Sequence, residues 1–123
     1  MALMDSDVSI TKLKDLVKKF CEDRDWDQFH GPKDLAIGLV TEASELLEIF
    51  RFKSDAEIQS LITSPEKRRL IEEELADSFY FLVRFTQKYD IDLTLALLEK
   101  MKKNALRYPV DKSKGNNKKY NEL

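Results

Sequence analysis

The sequence predicts an all-α fold, and three observations carry that expectation. Apolar residues recur at intervals of three and four, turn formers are scarce, and strand-like alternation is absent. Gly and Pro number only three each in 123 residues, which favours a few long elements with short connections. The length suits one domain with a modest core and is too short for two.

Four main helices and a short one follow in order. The first is expected from about Ser9 to Arg24, with Ser9 as N-cap and Ile10, Leu13, Leu16, Val17 and Phe20 as its apolar stripe. Asp25 to Gly31 is a loop carrying Trp26, Phe29 and His30. Pro32 suits a helix's first turn, and the second helix should run to about Phe52 with Leu35, Leu39, Ala43, Leu46, Leu47 and Phe50 inward. Ser54 caps a short helix through Ile62, and Ser64-Pro65 opens a long one to about Tyr89. From Phe79 to Phe85 that helix is apolar on almost every side, which calls for cover all round and predicts burial against another subunit. Asp92 caps a last helix from Leu93 to about Arg107, and Pro109 ends it. The domain is therefore placed at residues 1–110. The tail at 111–123, rich in Lys, Asn and Ser, reads as mobile.

A net charge of −2 gives no field that would draw the chain to a nucleic acid polymer or an anionic membrane. No apolar run approaches the roughly 18 residues that span a bilayer, and the acidic stretch Met1 to Asp7 lacks a basic, apolar signal region. A single cysteine, Cys21, fits a reducing cytoplasm and reads as an ordinary packed thiol.

Two acidic pairs stand out, Glu42-Ala-Ser-Glu45 on the second helix and Glu74-Leu-Ala-Asp77 on the long one. Residues three apart share a helix face, so each pair can aim two carboxylates at one point. Two such helices packed antiparallel gather four like charges, which repel strongly unless a divalent cation neutralises them. Hard oxygen donors in that number suit Mg²⁺ or Mn²⁺. Small neighbours (Gly38, Ala43, Ser44, Ala76, Ser78) would let the helices approach closely. Spacing alone also fits solvated charged faces, the reading preferred for Glu72 and Glu73. A carboxylate-bridged di-iron bundle needs a Glu-x-x-His on a helix, and His30 supplies none. A non-catalytic helical partner-binding module stays open as the alternative.

The ordered set Glu42-x-x-Glu45 and Glu74-x-x-Asp77 resembles the signature of the MazG-like all-α nucleoside triphosphate pyrophosphohydrolases, and most of all the dCTP pyrophosphatase branch. Supporting stretches are Arg24 to His30, Glu42 to Phe50, Glu73 to Asp77, Lys100 to Asn104, Arg107-Tyr108-Pro109 and Lys119-Tyr120. The resemblance implies hydrolysis of a (deoxy)nucleoside triphosphate, dCTP among them, to the monophosphate and pyrophosphate. The same chemistry on dUTP or a non-standard purine triphosphate is the enzymatic alternative. Glu42, Glu45, Glu74 and Asp77 would hold Mg²⁺, and Glu45 or Glu48 would activate the water. It further implies a base pocket of Trp26, His30, Phe52 and Phe81. Packing explains Trp26 equally well. Lys100 and Arg107 are assigned to phosphate, Asn104 to sugar or base, and Tyr108 to the same substrate surface. The branch usually carries Trp and Tyr where this chain has Phe52 and Phe81, so strict dCTP selectivity is not expected, with Tyr80 a partial substitute for the missing hydroxyl. Relatives of this kind form tetramers of paired dimers, and the same assembly is expected here.

Overall fold

The structure, a computed structural model describing residues 2–123, is built of helices, with no strand among the described residues. The chain divides into two compact units, one up to Asp90 and the other Ile91–Leu123. The first holds α1 (Ile10–Glu22), α2 (Pro32–Phe50), α3 (Asp55–Thr63) and α4 (Pro65–Lys88). The second holds α5 (Leu93–Arg107) and a single turn, α6 (Val110–Ser113). No helix of the described residues is long and apolar enough to cross a membrane.

Local chemistry sets the helix starts. Ser9 Oγ accepts from the Lys12 amide at 3.1 Å. Ser54 forms a reciprocal capping box with Glu57, its Oγ accepting from the Glu57 amide and the Glu57 carboxylate accepting from the Ser54 amide. Asp92 Oδ1 accepts from the Leu95 amide at 2.8 Å. Pro32 and Pro65 occupy first-turn positions, where a missing N–H costs nothing. Asp27–Phe29 forms a 3-10 turn inside the segment expected as plain loop.

In the first unit α1, α2 and α3 all pack on α4. Gly38 of α2 meets Phe81 of α4: a Cβ added at Gly38 would fall within 3.0 Å of the Phe81 ring. Glu42 and Glu45, further along α2, meet Glu74, earlier on α4. Residue numbers thus run in opposite senses along the seam, and the two helices are antiparallel. Gly38 makes the close approach possible, as its size predicts.

The inward register of α2 differs from the expected one. Leu35 is buried and Leu39, Glu42, Leu46, Ile49 and Phe50 are half-buried, whereas Ala43 and Leu47 are exposed. Glu42 therefore takes a seam position that an apolar residue was expected to fill. On α4 the inward stripe is Ile71, Glu74, Ser78, Phe81 and Phe85, so Glu74 does the same. Cys21 is fully buried, its Sγ 3.0 Å from the Tyr80 hydroxyl. The Phe79–Phe85 segment is partly covered by its own chain, because Val83 and Arg84 are buried there while Phe79 stays exposed.

The second unit is described by itself. Its tail holds more local structure than its composition suggests: besides α6, a 3-10 turn at Tyr120–Glu122 brings Tyr120 edge-on to Tyr108, with ring centroids 6.1 Å apart.

Candidate metal and nucleotide site

Glu42, Glu45 and Glu74 each place a carboxylate oxygen within 4.8 Å of the others'. Asp77 lies one turn beyond Glu74 and is exposed; it stands outside this tight trio but adds its charge to Glu42 and Glu74. Burial, the hydrogen bond and charge of Glu45, and the charge of Asp77 push the Glu42 carboxyl from an ordinary 4.5 up to about 7. Burial and Glu45 likewise push Glu74 up. A protein that retains such a site retains a standing repulsion, which a bound cation relieves.

The donor set fits a hard divalent cation. Oε2 of Glu42, Oε2 of Glu74 and Oγ of Ser78 are buried without a hydrogen-bond partner. All three atoms belong to inward positions of the α2–α4 seam, and a buried polar group left unpaired is costly. Oxygen-only donors are what Mg²⁺ and Mn²⁺ take. Glu48 is not part of the trio. Its carboxylate is exposed and lies 3.4 Å from Nη1 of Arg51.

The aromatic residues divide into two groups. Trp26 and His30 sit together on the loop before α2, with ring centroids 6.1 Å apart, and Trp26 also packs edge-on to Phe20. Phe81 lies in the helix seam over Gly38 and edge-on to Tyr80. The Tyr80 hydroxyl lies 3.0 Å from Cys21 Sγ, a hydrogen bond in which either atom can donate.

Phe52 is different in kind. It follows the C-cap of α2 with φ at 62°, in the left-handed region that glycine usually fills, and is 89% exposed with the Arg51 guanidinium 4.5 Å above its ring. A bulky residue held there costs of order 1–3 kcal/mol, and within this chain no packing of the ring offsets it. Phe52→Gly should therefore raise the stability of the free protein by about 1 kcal/mol while weakening nucleotide binding. Urea denaturation and KM together check this; lower stability would remove the strain argument.

In the second unit Lys100, Asn104, Arg107 and Tyr108 are all exposed on or just after α5. Arg107 stacks its guanidinium 4.8 Å above the Tyr120 ring. The residues that reading the sequence missed are Asp27, Arg84 and Lys88, which tie the Trp26–His30 loop to α4. An arginine inside the Phe79–Phe85 apolar run was the available signal, since a buried guanidinium needs a partner.

Residues 37–123 match the MazG-like family. The chain is 39% identical over 115 residues to dCTP pyrophosphatase 1 of Rattus norvegicus, covering 94% of this chain and 68% of that protein. The Homo sapiens protein of the same name is 38% identical over the same length, with the same coverage. Among solved structures, a pyrophosphatase from Archaeoglobus fulgidus is similar at a TM-score of 0.76 and 30% identity, covering 88% of this chain and 99% of that one.

Proposed function

The chain belongs to the MazG-like family and, like the relatives it matches, is a nucleoside triphosphate pyrophosphohydrolase; we propose that its substrates are dCTP and related deoxynucleoside triphosphates, hydrolysed with Mg²⁺. The observation that carries this reading is the trio Glu42, Glu45 and Glu74, set in a helix seam with two buried carboxylate oxygens unpaired. Glu42, Glu45 and Glu74 would hold the ion, with Asp77 completing the set. Bound there, Mg²⁺ or Mn²⁺ would offset phosphate charge and lower the pKa of water.

The chain's own residues do the rest. Glu45, the exposed member of the trio, orients the water and takes its proton as the water oxygen bonds to the α-phosphorus. The bond from that phosphorus to the bridging oxygen breaks, and pyrophosphate leaves with the electron pair. Glu48 is the weaker candidate for this role, because it already pairs with Arg51. Trp26, His30, Phe52 and Phe81 form the base pocket, Lys100 and Arg107 hold phosphate, and Asn104 and Tyr108 contact sugar or base.

Self-association is part of the same proposal. Ile37, Val40 and Leu47 form an exposed apolar stripe on α2, and Leu95, Leu98 and Met101 form another on α5. One such stripe in each unit supports self-association, and closed symmetry makes a dimer of dimers from two kinds of interface. A nucleotide substrate and a lone free thiol support a cytoplasmic location.

Pyrophosphate release across a panel of canonical and modified triphosphates tests the substrate assignment. A pocket that reads bases chiefly by stacking and shape, with Phe at positions 52 and 81, discriminates weakly. At least one other deoxynucleotide should fall within about a hundredfold of dCTP in kcat/KM, and a chelator should stop the reaction. A preference for dCTP above about a thousandfold would require several hydrogen-bonding readers acting together and sink this account of the pocket. Turnover of no triphosphate would sink the function itself.

A further inference from the structure

Arg84 lies in the most apolar stretch of α4 and is 1% exposed. Each nitrogen of its guanidinium has a partner: Nη2 pairs with the Asp27 carboxylate, Nη1 donates to Gln87 Oε1 at 2.6 Å, and Nε donates to His30 Nδ1 at 3.0 Å. One turn on, Lys88 Nζ donates to the carbonyls of Asp27 at 2.6 Å and His30 at 2.7 Å. The Tyr89 hydroxyl donates to the same His30 carbonyl at 3.2 Å. The loop carrying Trp26 and His30 is thus gripped by one face of α4.

The contact at Nδ1 has a chemical consequence. A guanidinium has five N–H donors, no acceptor, and stays charged. His30 Nδ1 must therefore accept, with its lone pair facing Arg84. A neutral imidazole with a bare Nδ1 carries its proton on Nε2, and Nε2 has no hydrogen-bond partner among the described residues. An imidazolium would turn a second N–H against the guanidinium. The charged groups around the ring are Arg84 and Lys88 from α4, Asp27 from the 3-10 turn and Asp34 from the first turn of α2. Burial and the two cations outweigh the two carboxylates, and the imidazole is held below its ordinary 6.5.

We propose that Arg84 is a positioning residue for the nucleotide site: it locks His30 as the neutral Nε2–H tautomer, so that the imidazole offers the nucleoside a donor and never an acceptor. The partner atom is then a base carbonyl, a ring nitrogen or a sugar oxygen, and an exocyclic amine gains nothing from this ring. The proposal rests on His30 facing the nucleoside, as assigned above.

His30 is the only histidine, so long-range proton–nitrogen correlation spectra of the ¹⁵N-labelled protein report this ring alone. The wild type should show a protonated Nε2 and a bare Nδ1 at pH 7, with a titration midpoint below 6.5. Arg84→Gln should give mixed tautomers, a higher midpoint, and a KM for accepted deoxynucleotides raised roughly five- to tenfold with kcat nearly unchanged, the size of one lost hydrogen bond. Should Arg84→Gln not fold, Asp27→Asn loosens the same guanidinium and should give the same mixture of tautomers, with a midpoint moved down and not up, because the Asp27 charge is one that raises the imidazole. A protonated Nδ1 or a charged ring in the wild type at pH 7 overturns the lock. An altered spectrum with unchanged KM overturns the positioning role. Absence of any triphosphatase activity would instead count against the assigned function, because the tautomer is read without substrate.

Discussion

Glu45→Ala should abolish pyrophosphate release, with kcat/KM falling by about a thousandfold or more, since on the proposed mechanism the change removes an ion ligand and a general base together. Asp77→Ala should also remove activity. Both variants should remain folded, because Glu45 and Asp77 are exposed members of the acidic set and lie off the packed stripes. Stability adds an independent readout. The Glu42 carboxyl rises from 4.5 to about 7 in the folded chain, chiefly through burial and then through Glu45. A carboxyl raised on folding contributes stability that is present below its unfolded pKa and lost as pH rises through the folded one. After treatment with a chelator, Glu42 should therefore lower the melting temperature between about pH 5 and 8. His30, depressed on folding, slopes the other way below 6.5, so the comparison of wild type with Glu42→Gln isolates the carboxyl. The variant should lose the Glu42 share of the downward component and keep that of Glu74, which burial and Glu45 also push up. Mg²⁺ should raise wild-type stability at pH 8, because binding to the native state raises it. Near-normal turnover in folded Glu45→Ala would remove this residue from the mechanism. A pH profile shared by wild type and Glu42→Gln would remove the repulsion argument.

The parts of this molecule legible in sequence are those governed by short range. Caps at Ser9, Ser54 and Asp92 need only a hydroxyl or carboxylate and an amide three residues on, so each was placed correctly. The paired acids were legible for the same reason, as spacing alone puts each pair on one face. What spacing could not supply was the inward register. Hydrophobicity ranks Ala43 above Glu42 for the seam, yet Glu42 is turned inward and Ala43 outward. A charged residue takes a core position only where a site or a partner offsets its cost, so the pattern failed at Glu42 and Ala43; it failed also at Leu47, which is exposed, and held for Leu35, Leu39, Leu46 and Phe50. The clamp of Arg84 on Asp27 and His30 joins residues 57 and 54 positions apart, beyond any local pattern. The left-handed Phe52 was equally hidden, because nothing in the sequence marks a bulky aromatic for a position that glycine usually fills.

A negative charge placed at Val83 and the same charge at Phe79 should have opposite outcomes, although the two residues are one turn apart. Val83 is 1% exposed within its own chain. Val83→Asp buries a carboxylate in that covered position, at a cost of several kcal/mol. That is a large share of the 5–15 kcal/mol that typically holds a domain folded, so circular dichroism should show an unfolded or severely destabilised chain at any protein concentration. Phe79 is 40% exposed and lines a surface cavity with Val8, Ile10 and Leu13. A carboxylate there keeps access to water, so Phe79→Asp should leave the helices intact. If Phe79 lies in a subunit contact, the substitution removes roughly 1.5–3 kcal/mol of apolar burial per copy and sets like charges near one another. Sedimentation at micromolar concentration should then show the variant dissociated and the wild type as the proposed tetramer. A wild type that sediments as a monomer under those conditions would sink the assembly proposal and leave the Val83 result untouched, since that residue is covered by its own chain.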